Sequence, residues 1–167
     1  MKLIALDSSG LVASVAVVED EILLAEYTIQ YKKTHSQTLL PMLDEIRKMI
    51  DLDFHEIDGI AVAAGPGSFT GLRIGSATAK GLAFATGKPI VAVPTLEGLA
   101  YNLYGTDKLV CPIMDARRNQ VYTGIYAFLP KEGTYCLEII KGQCAVAFAE
   151  IAQALNVLGR EVIFLGD

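Results

Sequence analysis

Residues 57–64 are mostly apolar and run directly into Gly65-Pro66-Gly67-Ser68. From Phe69 the chain becomes a long stretch rich in Gly, Ala, Ser and Thr. A short apolar run closed by turn residues predicts a buried strand. Gly65 and Gly67 permit backbone geometries closed to other residues, and Ser68 can cap a helix that starts behind it. Gly87, with Pro89 beyond, predicts the stop, so the helix is expected over 69–86. Strand, glycine turn and helix in this order direct free backbone N–H groups and the positive dipole end at one point. A chain built this way folds as α/β, and two readings of the turn stand: an anion cradle, or a tight turn that lets two backbones pack closely. No Gly-Lys-Ser/Thr follows, so it is not a Walker loop, and the glycine spacing does not fit a dinucleotide-binding turn.

Upstream, residues 3–6, 12–18 and 22–29 read as three strands with short connections, an antiparallel meander. The period then changes. Leu39, Leu43, Ile46 and Ile50 recur at three or four residues, flanked by Met42 and Met49, with Asp44, Glu45, Arg47 and Lys48 between them. This is an amphipathic helix expected over about 35–50. Thr34 and Gln37 read as its capping box, and Pro41 would then lie two turns inside and bend it. A strand over 90–93 and a helix over 95–102 follow. With 167 residues, 52% of them hydrophobic, and a mean hydropathy of +0.40, the chain has ample material for one domain or two small lobes.

An echo divides the chain. Leu3-Ile4-Ala5-Leu6-Asp7-Ser8-Ser9 returns as Cys111-Pro112-Ile113-Met114-Asp115-Ala116-Arg117, each an apolar strand ending in Asp at a turn and each followed by a second strand, the later one over 121–128. The second copy continues with a strand over 135–140, a helix over 147–155 and a strand over 162–165, and then lacks counterparts for the remaining elements of the first. The expected organisation is a first lobe over 1–105 and a second, truncated lobe over 106–167. A duplicated lobe whose first hairpin turns at an Asp is the plan of the actin-like ATPases and sugar kinases, the ASKHA or ribonuclease H-like fold. On that plan Asp7, Ser8 and Ser9, with Gly65, Gly67 and Ser68, would be a vestigial phosphate-binding set. The plainer reading makes Asp7 a turn former.

Gly71, Gly75, Ala79 and Ala83 recur every four residues along one face of the 69–86 helix. Such a stripe admits a close neighbour: this protein's own sheet, or a partner whose interface would also include Leu39, Met42, Leu43 and Ile46. Several chemistries are absent. His35 and His55 form no metal-binding pair, and no Gly-x-Ser-x-Gly elbow occurs. A net charge of −5 argues against nucleic-acid binding by this chain alone, Lys32-Lys33 and Arg117-Arg118 being isolated pairs. Cys111, Cys136 and Cys144 fit neither a zinc pattern nor a disulfide framework. With no signal peptide or membrane span expected, the reading is a soluble, cytoplasmic protein.

Through these motifs the sequence resembles the TsaB (YeaZ) family of tRNA threonylcarbamoyladenosine biosynthesis proteins. The likeness runs through residues 3–9, His35-Ser36 with Leu39-Leu40-Pro41, residues 65–75 with Lys80-Gly81-Leu82-Ala83, Val93-Pro94-Thr95-Leu96, and Met114-Asp115-Ala116-Arg117-Arg118 with Val121-Tyr122. It implies an actin-like fold without catalysis of its own, and a homodimer in isolation. It also implies a heterodimer with a catalytic paralogue, a TsaD-like transferase that holds the metal, both formed through the helices at about 35–50 and 69–86. A TsaE-like ATPase joins the complex, where ATP or ADP can bind. No cofactor is expected on this chain alone, tRNA is met only through the complex, and no membrane is involved. His35 would be a remnant of the paralogue's histidine pair. Family members usually continue beyond residue 167, which matches the incomplete second lobe. Two other readings are a small ATP-dependent phosphotransferase using Asp7 and the 65–68 turn, and a metallopeptidase, the older glycoprotease label, for which no nucleophile or metal constellation is visible.

Overall fold

Alternation of apolar and polar residues sets up the first sheet. The structure, a computed structural model, describes residues 1–31 and 35–166 and divides into two compact units, Met1–Pro94 and Thr95–Asp167. In the first, β1 (Lys2–Asp7), β2 (Ala13–Glu19), β3 (Ile22–Ile29), β4 (Gly59–Ala63) and β5 (Ile90–Val93) form one sheet in the order β3-β2-β1-β4-β5. β1 pairs antiparallel with β2 and parallel with β4, β2 pairs antiparallel with β3, and β4 pairs parallel with β5. Ile4, Leu6, Ala13, Val15, Val17, Ile60 and Val62 are buried in one core with residues of α1 (Leu39–Met49) and α2 (Phe69–Thr86). Each large side chain buried in this way contributes roughly 1.5–3 kcal/mol.

α2 has the expected bounds. Ser68 Oγ accepts from the Gly71 N–H at its start, and Gly87 closes it at φ 71°, donating its N–H to Ala83 O. The other long helix differs from expectation. His35–Gln37 form a separate 3₁₀ turn, and α1 begins only at Leu39, with Met42 N–H donating to Thr38 O. Pro41 therefore stands in the first turn of α1, where its missing N–H has no intrahelical acceptor to lose. The expected bend is not required. Thr34, named as the capping residue, lies outside the described residues, as do Lys32 and Lys33.

In the second unit β6 (Leu109–Arg117), β7 (Gln120–Lys131), β8 (Thr134–Ala147) and β9 (Val162–Gly166) are ordered β8-β7-β6-β9, with α4 (Phe148–Leu158) crossing from β8 to β9. β6 is antiparallel to β7 and parallel to β9, and β7 is antiparallel to β8. This repeats β3-β2-β1-β4 and its α1 crossover element for element, so the duplication read from the Asp turns extends through four strands and a helix. The fold is α/β with mixed sheets, actin-like in plan. β7 is buried continuously over 123–128 because both of its faces are covered. Tyr126 and Phe128 pack with Leu96, Ala100 and Val110 on one side, while Ile125 and Ala127 pack with Ile151 and Leu155 of α4 on the other. Leu96 and Ala100 belong to α3 (Thr95–Ala100), so this helix, expected to close the first lobe, lies in the core of the second unit.

Candidate functional site

The six residues of the expected phosphate set come together in the first unit, and the manner of their meeting decides what they can do. β1 ends at Asp7, whose Oδ1 accepts from Ser9 N–H at 2.7 Å and shapes the turn. Ser8 and Ser9 are then 2% and 4% exposed. Ser8 Oγ donates to Gly71 O at 2.9 Å, and Ser9 O accepts from Ser68 N–H at 2.6 Å. Ser68 Oγ is already engaged as the cap of α2. The Asp turn and the glycine turn thus close on each other. The Ser8 and Ser68 hydroxyls, the Ser68 and Gly71 N–H groups and the Ser9 and Gly71 carbonyls are bonded within the pair, where a phosphate cradle needs such groups directed at open space.

Glycine is required by this closure. A Cβ at Gly67, itself at φ 157°, would be 2.9 Å from Ser9 Cβ and nearer still to Ser9 O. One at Gly71 would overlap Ser8 O, and one at Gly75 would lie 2.6 Å from Ser8 Oγ. Of the two readings of the glycine turn, this geometry matches close packing of two backbones. It also locates the small-residue stripe: Gly71, Gly75 and Ala79 are buried, and Ala83 packs against the same core. Leu39, Met42, Leu43 and Ile46 are each at most 2% exposed within that core. All eight residues expected to meet a partner therefore face inward, because the turn and sheet of this same chain occupy the space the stripe leaves. Helix periodicity alone gives an apolar face without saying what covers it.

The outward sides of the two helices were not singled out by the sequence. On α2 they carry Phe69 and Phe84, 69% and 93% exposed, with the Arg73 guanidinium 3.9 Å above the Phe69 ring. On α1 they carry Leu40 and Met49, 51% and 76% exposed. His35, expected as a remnant, has a structural task. Its Nε2–H donates to Gly10 O at 3.0 Å, tying the 3₁₀ turn to the β1–β2 hairpin. His55 is exposed, and among the described residues no three His, Cys, Asp or Glu side chains are placed to hold a metal ion. Among the same residues no helix is long and apolar enough to cross a membrane.

The second unit repeats the Asp turn with the same bond: Asp115 Oδ1 accepts from Arg117 N–H at 2.7 Å. Nearby, burial pushes the Cys111 thiol above its usual pKa, although its contact with Thr123 acts the other way. The Tyr126 hydroxyl is pushed up to about 12, chiefly by burial.

Comparison with known proteins places this geometry. The family model described as TsaD, tRNA N6-adenosine threonylcarbamoyltransferase, matches residues 23–162. The tRNA threonylcarbamoyladenosine biosynthesis protein TsaB of Bacillus subtilis is 39% identical over 166 residues, 99% of this chain and 71% of that protein. TsaB of Escherichia coli is 33% identical over 129 residues, 75% of this chain and 55% of that one. The chain thus spans between about half and about seven tenths of these relatives' length. The solved structure of YeaZ from Pseudomonas aeruginosa superimposes with a TM-score of 0.72 at 32% identity, covering 87% of this chain and 66% of that one. Sequence identity carried across nearly the whole chain, with the same fold under it, means that the chain belongs to the TsaB (YeaZ) family.

Proposed function

We propose that this chain is a non-catalytic subunit of the assembly that installs threonylcarbamoyl on the adenosine next to the anticodon of tRNA. It pairs with a TsaD-like transferase and favours that partner's competent conformation, through contacts that differ between the partner's two states. The reading rests on family membership and on one observation: the Asp7–Ser9 turn and the start of α2 bond to each other through Ser8 Oγ, Ser9 O and the Ser68 N–H. A phosphotransferase using them would need those groups free. A homodimer in isolation, a TsaE-like ATPase in the complex, ATP or ADP bound only there, tRNA held chiefly by the rest of the complex and a cytoplasmic site of action belong to the same proposal.

The partner face is assigned to the same two helices as before, through their outward residues. Phe69, Arg73 and Phe84 are of residue types enriched at the cores of interfaces, and Phe84 touches little of its own chain. The eight inward residues act from beneath, setting how the helices lie on the sheet.

Reconstituted threonylcarbamoyl transfer to tRNA, with and without this chain, tests the role. Product is expected only in its presence, and equal product without it overturns the activator reading. Phe84→Asp should weaken pairing at least tenfold and leave the melting temperature unchanged, whereas unaltered pairing removes this face from the interface. Calorimetric binding of Mg-ATP by the chain alone would revive the phosphotransferase.

A further inference from the structure

The Asp115-Ala116-Arg117-Arg118 turn takes no part in the function proposed above, and its geometry is unusual. Arg117 pairs with Gln120, so Arg118 and Asn119 alone connect β6 to β7. Arg117, Arg118 and Asn119 have φ values of 63°, 53° and 58°. A two-residue hairpin with positive φ at both central positions is least strained with Asn-Gly, and consecutive left-handed residues other than glycine are uncommon. Here arginines occupy positions where glycine would fit with less strain. Backbone strain of this kind persists where the side chains have a use.

The side chains are free to have one. Arg117, Arg118, Asn119 and Gln120 are all exposed, and neither guanidinium has a hydrogen-bond or ion-pair partner among the described residues. Most other described cations are engaged: Lys2, Arg47, Lys48, Lys108 and Lys141 in ion pairs, Lys88 and Arg160 on backbone carbonyls, and Arg73 on an aromatic ring. The adjacent carboxylate, Asp115, is turned to the Arg117 N–H. The hairpin also lies at the same end of the sheet as the first turn of α4, because Gln120 opposes Ala147, the residue that begins that helix without a side-chain cap.

We infer that the Arg117–Arg118 hairpin tip is a contact for neighbouring phosphates of an RNA backbone. Two fork-shaped guanidinium groups on successive exposed residues suit bidentate phosphate contacts. A tip exposed at four successive residues is convex, and a convex donor pair can reach successive phosphates along a strand. A free nucleotide is held by a concave site that surrounds it. Phosphate contacts of this kind position a nucleic acid without reading its sequence. Choosing tRNA as the RNA rests on the proposed function, whereas the phosphate chemistry does not. With two phosphates engaged, the contact is an auxiliary one and fits the acidity of the chain as a whole.

The test titrates the isotopically labelled full chain with unmodified tRNA, following backbone and arginine Nε–H resonances by NMR at 50 mM salt. Shifts are expected at residues 117–120, with affinity falling about 5–7-fold on going to 150 mM salt, as release of counterions from two phosphates requires. They should be absent in Arg117→Glu/Arg118→Glu and present in Arg117→Lys/Arg118→Lys. Arg118→Asn/Asn119→Gly, which relieves the turn, should melt at a higher temperature and bind several-fold less tightly. The proposal is overturned if tRNA shifts nothing or shifts other residues. It is equally overturned if ATP or an acidic polypeptide at matched charge perturbs the tip as strongly as tRNA. Pairing with the transferase, measured on the Glu variants, is expected to be unchanged, so failure of the subunit reading is seen separately.

Discussion

Two glycines of one helix make opposite predictions for the same substitution. Ala is favoured over Gly in a helix interior by about 1 kcal/mol. At Gly81 an added Cβ would meet nothing within 4 Å, so Gly81→Ala should retain that gain in full. At Gly71 the new Cβ would overlap Ser8 O and sit 3.2 Å from the Ser8 carbonyl carbon and 3.3 Å from Ser68 Cβ. These neighbours are backbone and a capping residue, so no flexible side-chain end can swing away. The Asp turn and α2 must part by about an ångström or more, which is overpacking worth about 1–3 kcal/mol. The same movement stretches the Ser8 Oγ–Gly71 O bond of 2.9 Å, made between buried residues, and the Ser68 N–Ser9 O bond of 2.6 Å, whose acceptor residue is buried although Ser68 is exposed. Breaking them adds about 1–3 kcal/mol for the buried groups left unpaired. After the helix gain is set against these terms, Gly71→Ala should destabilise by about 1–5 kcal/mol, and Gly81→Ala should stabilise by up to about 1 kcal/mol. Urea unfolding of both variants reads the midpoints, and amide exchange at Ser9 and Ser68 reports whether the closure has opened. A Gly71→Ala protein as stable as the parent would refute the claim that the two turns close on each other. So would equal losses at both positions, which would make the effect one of helix composition.

Three further outcomes are expected. Tyr126→Phe removes a buried hydroxyl that has no hydrogen-bond partner among the described residues, so it should leave stability unchanged or raise it by about 1 kcal/mol. Because burial raises the Tyr126 pKa to about 12 in the folded chain, against about 10 when unfolded, its contribution is complete below pH 10. Stability should fall as pH rises from 10 towards 12. Stability measured against pH should show a shallower alkaline decline in Tyr126→Phe, and an unaltered slope would contradict the assignment. Asn119→Gly places glycine at φ 58° and should raise stability by about 1 kcal/mol, read as a rise in melting temperature. No rise would mean that the hairpin is not strained.

What the sequence disclosed depended on whether the deciding signal was local. Ser68 and Gly87 bound α2 because caps act within a turn of the residues they satisfy. The Asp turns revealed the repeat because each is made by one side chain and the N–H two residues on. Pro41 misled because the expectation counted the 3₁₀ turn at His35–Gln37 as helix, which put the proline too deep. The direction of the Gly71–Ala83 stripe was not legible. Its cover is the Ser8–Ser9 turn, some sixty residues away in the chain and unmarked by any periodicity. β8 reached Ala147, further than its apolar run suggested, because its pairing with β7 continues through two register shifts.

The position of β1 has a consequence for the order in which the chain can assemble as it is synthesised. β1 leaves the ribosome before the other strands of its sheet, yet it occupies the middle of that sheet, between β2 and β4. Its pairing with β2 is a hairpin available at once, whereas its pairing with β4 joins Leu3 to Gly59, and parallel contacts of such separation form late. Until β4 and then Gly71 emerge, the nascent meander exposes one edge of β1, and the Ser8 and Ser9 turn has nothing to close on. The glycine segment therefore acts as a late latch on an early hairpin. Slowing translation between residues 30 and 71 would lengthen the interval in which that edge is open to aggregation.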